Sequence, residues 1–293
     1  MKLIFYAAVD KERERKLAVA MCAGAERLGW EARSVPAHEY AGPEADVGVV
    51  IGVKGHSRRI IDDHVAAGRH YLYVDKGYLR AKNNLHREGR RYAMGDAFYK
   101  LALDGFQPTA YMMGFSERDD GQRWRTASRQ IGLQPHLEQH HGSKVLWSGM
   151  TPKYARFHGI SDPEAYGRDV ISRIEALGLP AVYRPKQTWR DVEMPDAPRS
   201  FRRLQDEFGD ARALIAHGSS VAIEALLSGI PVLTIGPCIA EPIAMRRWEQ
   251  LVEPTYPEPK EILRWARAMS WCQWTLCEIE SGAALDSLRE VLH

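Results

Sequence analysis

Apolar positions run almost unbroken through LIFYAAV (3–9), the composition of a strand covered on both faces. KERERKLAVAMCAGAERLGW follows, with Leu17, Val19, Ala20, Met21, Ala23 and Leu28 at helical spacing and a stop at Gly29. EARSVP (31–36) predicts a second short strand. ADVGVVIGV (45–53), bounded by Pro43 and Gly55, predicts a third. RRIIDDHVAAG then predicts a helix and HYLYVD a strand ending at Asp75. Strands that are apolar throughout and alternate with helices imply a parallel sheet covered on both sides, a Rossmann-like α/β layout.

The pattern fades between 76 and 141, where polar segments predict long irregular loops, a strand near 92–97 and at most a short helix-like piece within QPTAYMMGFSERDDGQRWRTASRQIGL. A second alternating series opens at SKVLWSG (143–149). DPEAYGRDVISRIEALG predicts a helix with Asp162 as N-cap and Pro163 in its first turn. AVYRP (181–185), a short helix in RSFRRLQDEFG, and the strands ARALIAH and VLTIG complete it. EPTYPEPKE leads into two final helices, EILRWARAMSWCQWTLCEIESG and ALDSLREVL. The predicted organisation is two Rossmann-like domains, 1–142 and 143–265, facing a central cleft. Residues 266–293 form C-terminal helices that return to the first domain. Trp265, Trp271 and Trp274, in RWARAMSWCQWTLCEI, read as packing residues.

Composition is that of a globular chain, with 45% hydrophobic and 27% charged residues. No apolar run reaches the roughly 18 residues of a membrane span, and the N-terminus reads as a strand, so a cytoplasmic protein is expected. Cys22, Cys238, Cys272 and Cys277 show neither CxxC nor zinc spacing and read as reduced thiols. His136, His140 and His141 lack the HExxH order, so no metal is expected. The formal net charge of +2 does not indicate a wholesale nucleic-acid binder, although GHSRR and HREGRRY are locally basic.

The most informative stretch is AHGSSVAIEALLSGIPVLTIGP (216–237), where a strand gives way to a helix through Gly218, Ser219 and Ser220, with His217 before the turn and Glu224 one turn beyond. A helix start carries unpaired N–H groups and partial positive charge, a ready place for an anion; an ordinary capped turn has the same residues. Neither GxGxxG nor the Walker pattern is present.

This stretch resembles the nucleotide-sugar signature of GT-B glycosyltransferases and the related sugar-nucleotide 2-epimerases: a small polar turn, a Glu five residues after the first Ser, then Gly-x-Pro-Val. VYRPKQTW (182–189) resembles the Arg/Lys-Pro-His segment of sialyl- and Kdo-transferase-like enzymes, with Lys186 in place of the His. The resemblance implies that Ser219, Ser220, Gly218, His217, Arg184 and Lys186 contact the donor's phosphates or base and that Glu224 holds its ribose. Gly149, Thr151 and Lys153, in the first turn of the second domain, join that donor set. A UDP-sugar is favoured over a CMP-sugar, with no cofactor and no metal, because the helix start and basic residues neutralise the leaving diphosphate.

An inverting transfer also needs a base for the acceptor hydroxyl. Asp75 at a strand end ranks first, Asp10 second and His56 third. Arg58, Lys76, Tyr78 and Arg80 are the expected acceptor contacts at that edge; with DNA as acceptor, Arg58, Arg59, Arg80, Arg87, Arg90, Arg91, Arg123 and Arg125 would supply phosphate contacts. YVDKGY, the long polar loop and the CQWTL segment look similar to proteins carried by phages. That makes hydroxymethylated pyrimidine in phage DNA one acceptor to consider, beside a glycan or a lipid. An epimerase or hydrolase on the same scaffold, and a binding protein without turnover, are the alternatives.

Overall fold

The computed structural model describes residues 1–8, 10–53, 55–79, 98–130, 135–136, 138–185, 198–200, 202 and 204–292. The chain separates into two compact units, Met1–Leu133 with Ala268–His293, and Gln134–Arg267.

The first unit opens with β1 (Lys2–Ala7), α1 (Glu12–Arg27), β2 (Glu31–Pro36), β3 (Val47–Ile51), α2 (Gly55–Ala66) and β4 (His70–Lys76). Then come β5 (Tyr99–Leu103) and α3 (Gln122–Gln130). β2, β1, β3 and β4 lie side by side and parallel, and β5 joins β4 antiparallel. Alternate strand residues, among them Leu3, Phe5, Val49 and Val74, meet Leu17 and Met21 of α1 in one core.

The second unit runs β6 (Lys144–Ser148), α4 (Pro152–Phe157), α5 (Pro163–Ala176), β7 (Ala181–Arg184), α6 (Leu204–Phe208), β8 (Ala211–Ala216), α7 (Val221–Leu227) and β9 (Val232–Thr234). Its sheet is parallel throughout, in the order β7-β6-β8-β9. Val145, Trp147, Ile215 and Leu233 pack on Val170 and Ile174 of α5. As expected, Asp162 caps α5, accepting from the amides of Glu164 and Ala165 at 3.0 and 2.9 Å.

α8 (Pro259–Ser270) precedes β10 (Gln273–Trp274), α9 (Leu276–Glu280) and α10 (Ala283–Arg289). β10 pairs antiparallel with β5 and extends the first sheet, so the C-terminal segment does return to the first unit. Two expectations are corrected here. The predicted helix over EILRWARAMSWCQWTLCEIESG is two helices broken by β10, because Thr275 starts a new helix with a Thr–Glu278 capping box. The middle of the chain holds β5, whose YKLAL is a fully buried five-residue run overlooked beside so much polar sequence. The predicted strand near 92–97 lies outside the described residues.

Arg123 fastens the returning segment. Its guanidinium lies over Trp271 and Trp274, 5.0 and 4.4 Å from the ring centroids, and donates to the carbonyls of Ser270 and Gln273, both at 2.7 Å, and to Glu278. Arg123 therefore serves the fold, not a phosphate contact. Arg58, Arg59 and Arg125 face Asp62, Asp63 and Asp120 at 3.0, 3.7 and 3.3 Å.

α1 and α9 approach so closely that a Cβ on Gly24 would overlap the carbonyl oxygen of Ile279. Alanine normally favours a helix interior over glycine by about 1 kcal/mol, but here the backbone it would strike cannot yield like a side chain. Gly24→Ala should destabilise the protein by about 1–3 kcal/mol in chemical denaturation, the cost of overpacking. A stabilised variant would show that this contact is looser than described.

Candidate functional site

In the second unit the chain winds from β6 outward to β7, then returns to place β8 on the other side of β6. Crossovers leave that reversal point in opposite directions, so the carboxyl ends of β6 and β8 border a crevice that open α/β sheets use for ligands. Ser148 and Gly149 end β6 there, Arg184 ends β7, and His217–Ser220 follow β8. The structure thus gathers at one sheet edge Gly149, Arg184, His217, Gly218, Ser219 and Ser220 from three separated stretches of chain.

The turn itself is built around Gly218, whose φ of 70° lies in the left-handed region and whose missing Cβ leaves room for the Tyr154 hydroxyl. Ser148 Oγ donates to Ser219 Oγ at 3.0 Å across the two strands, and Ser219 Oγ accepts from the Val221 amide at 3.3 Å. Ser220 occupies the N-cap position of α7 without a side-chain cap. The amides of Ala222 and Ile223 close on the carbonyls of Ser219 and Ser220 at 3.3 and 3.1 Å. Among the described residues, no protein acceptor engages the Ser219 and Ser220 amides.

Charge at this edge comes from Arg184. Burial lowers its pKa, while Glu207 and Glu224 raise it, so both carboxylates lie within electrostatic reach. Nη2 donates to the Arg202 carbonyl at 3.1 Å, and Nη1 lies 3.7 Å from Glu207. That Nη1 is buried and has no hydrogen-bond partner among the described residues. Glu207, itself 9% exposed, also accepts from the Ser200 hydroxyl. Glu224, half-buried on the first turn of α7, is the second acid beside Arg184.

His217 contributes no charge. Its ring is 8% exposed, fills the space a Gly236 side chain would need, and shares a 2.9 Å hydrogen bond between Nδ1 and the Tyr166 hydroxyl. Burial pushes its pKa down to about 4. Tyr154 and His158 complete the aromatic surroundings, with centroids 6.2 and 5.8 Å away.

The remaining predicted donor residues are more peripheral. Thr151 caps α4, accepting from the Tyr154 amide at 3.2 Å, and Lys153 is exposed on that helix. Lys186 lies outside the described residues. Ser148, Tyr154, Tyr166 and Glu207 were missed. Ser148 had a signal, as the last residue of a strand before a glycine, but the other three sit in helices whose pattern gave them no chemical role.

In the first unit the winding reverses between β1 and β3. Asp10 and His56 are exposed in the segments that follow those strands, and Asp75 is half-buried near the end of β4. Asp75 accepts from the Tyr73 hydroxyl at 3.2 Å and the Lys76 amide at 2.7 Å. Lys76 is exposed, Tyr78 is buried and donates to Gln107 at 2.8 Å, and Arg58 faces Asp62; Arg80 lies outside the described residues. Sequence reasoning passed over Glu14, which is 5% exposed and accepts from the Ala8 amide at 3.0 Å just past β1. His140 and His141 contact Tyr256, and no cluster of metal-ligating side chains forms among the described residues. Nor is any described helix long and apolar enough to cross a membrane.

No family model matches the chain, and no curated protein matches it. Among solved structures it is similar to the β-Kdo 2,7 transferase of Thermosulfurimonas dismutans KpsC, at 12% identity and a TM-score of 0.49, covering 98% of this chain and 100% of that one. The β-Kdo 2,4 transferase of the same KpsC gives 13% identity and 0.45, covering 92% and 90%. The UDP-GlcNAc 2-epimerase of Methanocaldococcus jannaschii gives 12% and 0.28, covering 91% and 98%.

The state of His217 has a measurable consequence. With a folded pKa of about 4 against an ordinary 6.5, the unfolded chain binds the proton first as pH falls. Its contribution to stability is complete above pH 6.5 and is lost between 6.5 and 4. In denaturant titrations at pH 7 and 4.5, His217→Gln should lose about 2 kcal/mol less than the wild type over that interval. An equal loss in both proteins would show that His217 is accessible to protons in the folded state.

Proposed function

We propose that the protein is a glycosyltransferase that takes a sugar from a nucleoside diphosphate donor held at the β6/β8 edge. The observation that carries the reading is the turn at Gly218–Ser220. It combines a left-handed glycine, two amides without protein acceptors among the described residues, and the partly unsatisfied Arg184 at the same sheet edge. Such a set suits a diphosphate better than an uncharged ligand, because backbone N–H groups and a desolvated guanidinium both favour oxyanions. The sequence resemblance adds Glu224 as the acceptor of the ribose hydroxyls.

In the reaction, the bond from the anomeric carbon to the diphosphate oxygen breaks as the acceptor oxygen bonds to that carbon. The negative charge that grows on the leaving diphosphate is met by the Ser219 and Ser220 amides and by Arg184. His217, neutral, shapes the wall behind the turn. The acceptor's proton goes to a general base; Asp75, ahead of Asp10 and His56, is assigned that role by its strand-end position. UDP-linked sugars are the preferred donors.

The test is a panel of UDP- and CMP-sugars incubated with glycans, lipids and hydroxymethylated DNA, followed by mass analysis of every acceptor. Sugar added to an acceptor supports the reading. Donor consumed without any acceptor points to an epimerase or hydrolase, and binding without consumption to an accessory protein. Within the panel, Glu224→Ala should weaken UDP binding by about tenfold, the loss of one charge-assisted pair of hydrogen bonds. Asp75→Ala should leave UDP affinity unchanged and slow turnover by about 100-fold or more, the usual contribution of a general base. Unaltered UDP affinity in Glu224→Ala would remove the ribose assignment.

A further inference from the structure

A cavity of about 340 Å³ opens in the first unit between α3, the start of β5 and the β10–α9 segment. The Gly77 amide donates to the Phe98 carbonyl at 2.7 Å, which sets Phe98 beside the carboxyl end of β4, the end that carries Asp75. Phe98 and Trp271 give the cavity two aromatic walls, and Gln122 and Thr126 line it from α3. Both α3 side chains are on exposed residues and make no hydrogen bond among the described residues.

Its charges select against an anion. Among the described residues Arg123 is the cation in the lining, and it is committed to Glu278 and to the carbonyls of Ser270 and Gln273. Asp119 accepts from the amides of Gly121 and Arg123 at 2.8 and 3.0 Å, and Glu278 accepts from Thr275. Among the described residues of the lining, two carboxylates and one guanidinium give a net negative set, which repels a phosphodiester. The carboxylates keep lone pairs for incoming hydroxyls, and the aromatic walls offer apolar faces to a ring. The volume lies at the low end of the roughly 300–1,000 Å³ of ligand pockets, enough for one small ring.

We infer that this cavity is a subsite for an uncharged, hydroxyl-bearing sugar ring of the acceptor, which makes the acceptor a glycan and not DNA. The inference rests on the glycosyl-transfer reading for the word acceptor, while the sugar site itself stands on the cavity. Hydroxyls of the ring meet Asp119, Gln122 and Thr126, and its apolar face meets Phe98 or Trp271.

The test uses the full chain and the methyl glycosides of glucose, galactose, mannose and N-acetylglucosamine, with saturation-transfer NMR as the readout and UDP binding measured in parallel. At least one glycoside should bind, and Thr126→Phe, which fills the cavity from an exposed helix position, should weaken it by about tenfold or more without altering UDP affinity. Gln122→Ala should weaken it to a lesser degree, and thermal melts confirm that both variants fold. Absence of glycoside binding overturns the inference, as does binding that Thr126→Phe leaves intact or preferential binding of a nucleobase at the cavity. If UDP binds and no glycoside does, the donor reading survives and this inference fails. If glycosides bind at the cavity and UDP binds nowhere, the sugar site stands and its acceptor role fails with the reading.

Discussion

A parallel sheet cannot return on itself by a tight turn; each crossover must travel the length of a strand, and its handedness is fixed. When successive crossovers leave one strand in opposite directions, two neighbouring carboxyl ends are left bordering a space that neither crossover covers. In the second unit that space lies between β6 and β8. Everything of chemical interest there is positioned by it: the Ser148–Ser219 hydroxyl pair spans the two strands, Gly218 bends the chain away from β8, and Arg184 arrives from β7. The rest of the unit is apolar packing that keeps those strand ends in register.

The electrostatics of this edge follow from burial. An imidazole and a guanidinium both lose solvation when enclosed, but the outcome differs with their partners. His217 gains a single hydrogen bond from Tyr166 and stays neutral. Arg184, far more basic, keeps its charge with Glu207 and Glu224 nearby and retains a buried nitrogen without a hydrogen-bond partner among the described residues. A pre-positioned cation whose bonding is incomplete gains most from an arriving anion, because the cost of enclosing it has already been met within the fold. Among the described residues, the edge therefore presents a neutral imidazole and a charged guanidinium.

Much of this was legible in the sequence because it depends on local pattern. Apolar runs such as VGVVI and ALIA declare buried strands, Asp162-Pro163 declares a helix start, and Gly-Ser-Ser declares the turn from β8 into α7. What escaped reading depends on distant partners. β10 is two residues, Gln273 and Trp274, whose strand character comes from pairing with β5, about 170 positions earlier. Arg123 looked like a surface cation, and only the arrival of Trp271, Trp274 and Glu278 makes it a structural clamp. Tyr166 and Glu207 acquire their roles in the same way, by facing His217 and Arg184 from helices whose periodicity reveals nothing beyond their amphipathic faces.

The central claim is that a nucleoside diphosphate is held by the backbone of the turn after β8. Hydrogen–deuterium exchange with and without UDP tests it most directly, because the Ser219 and Ser220 amides would gain acceptors in the complex. The account predicts slowed exchange in peptides spanning 216–227, extending to the end of β7. Protection confined to the carboxyl ends of β1 and β3, with 216–227 unchanged, would contradict it.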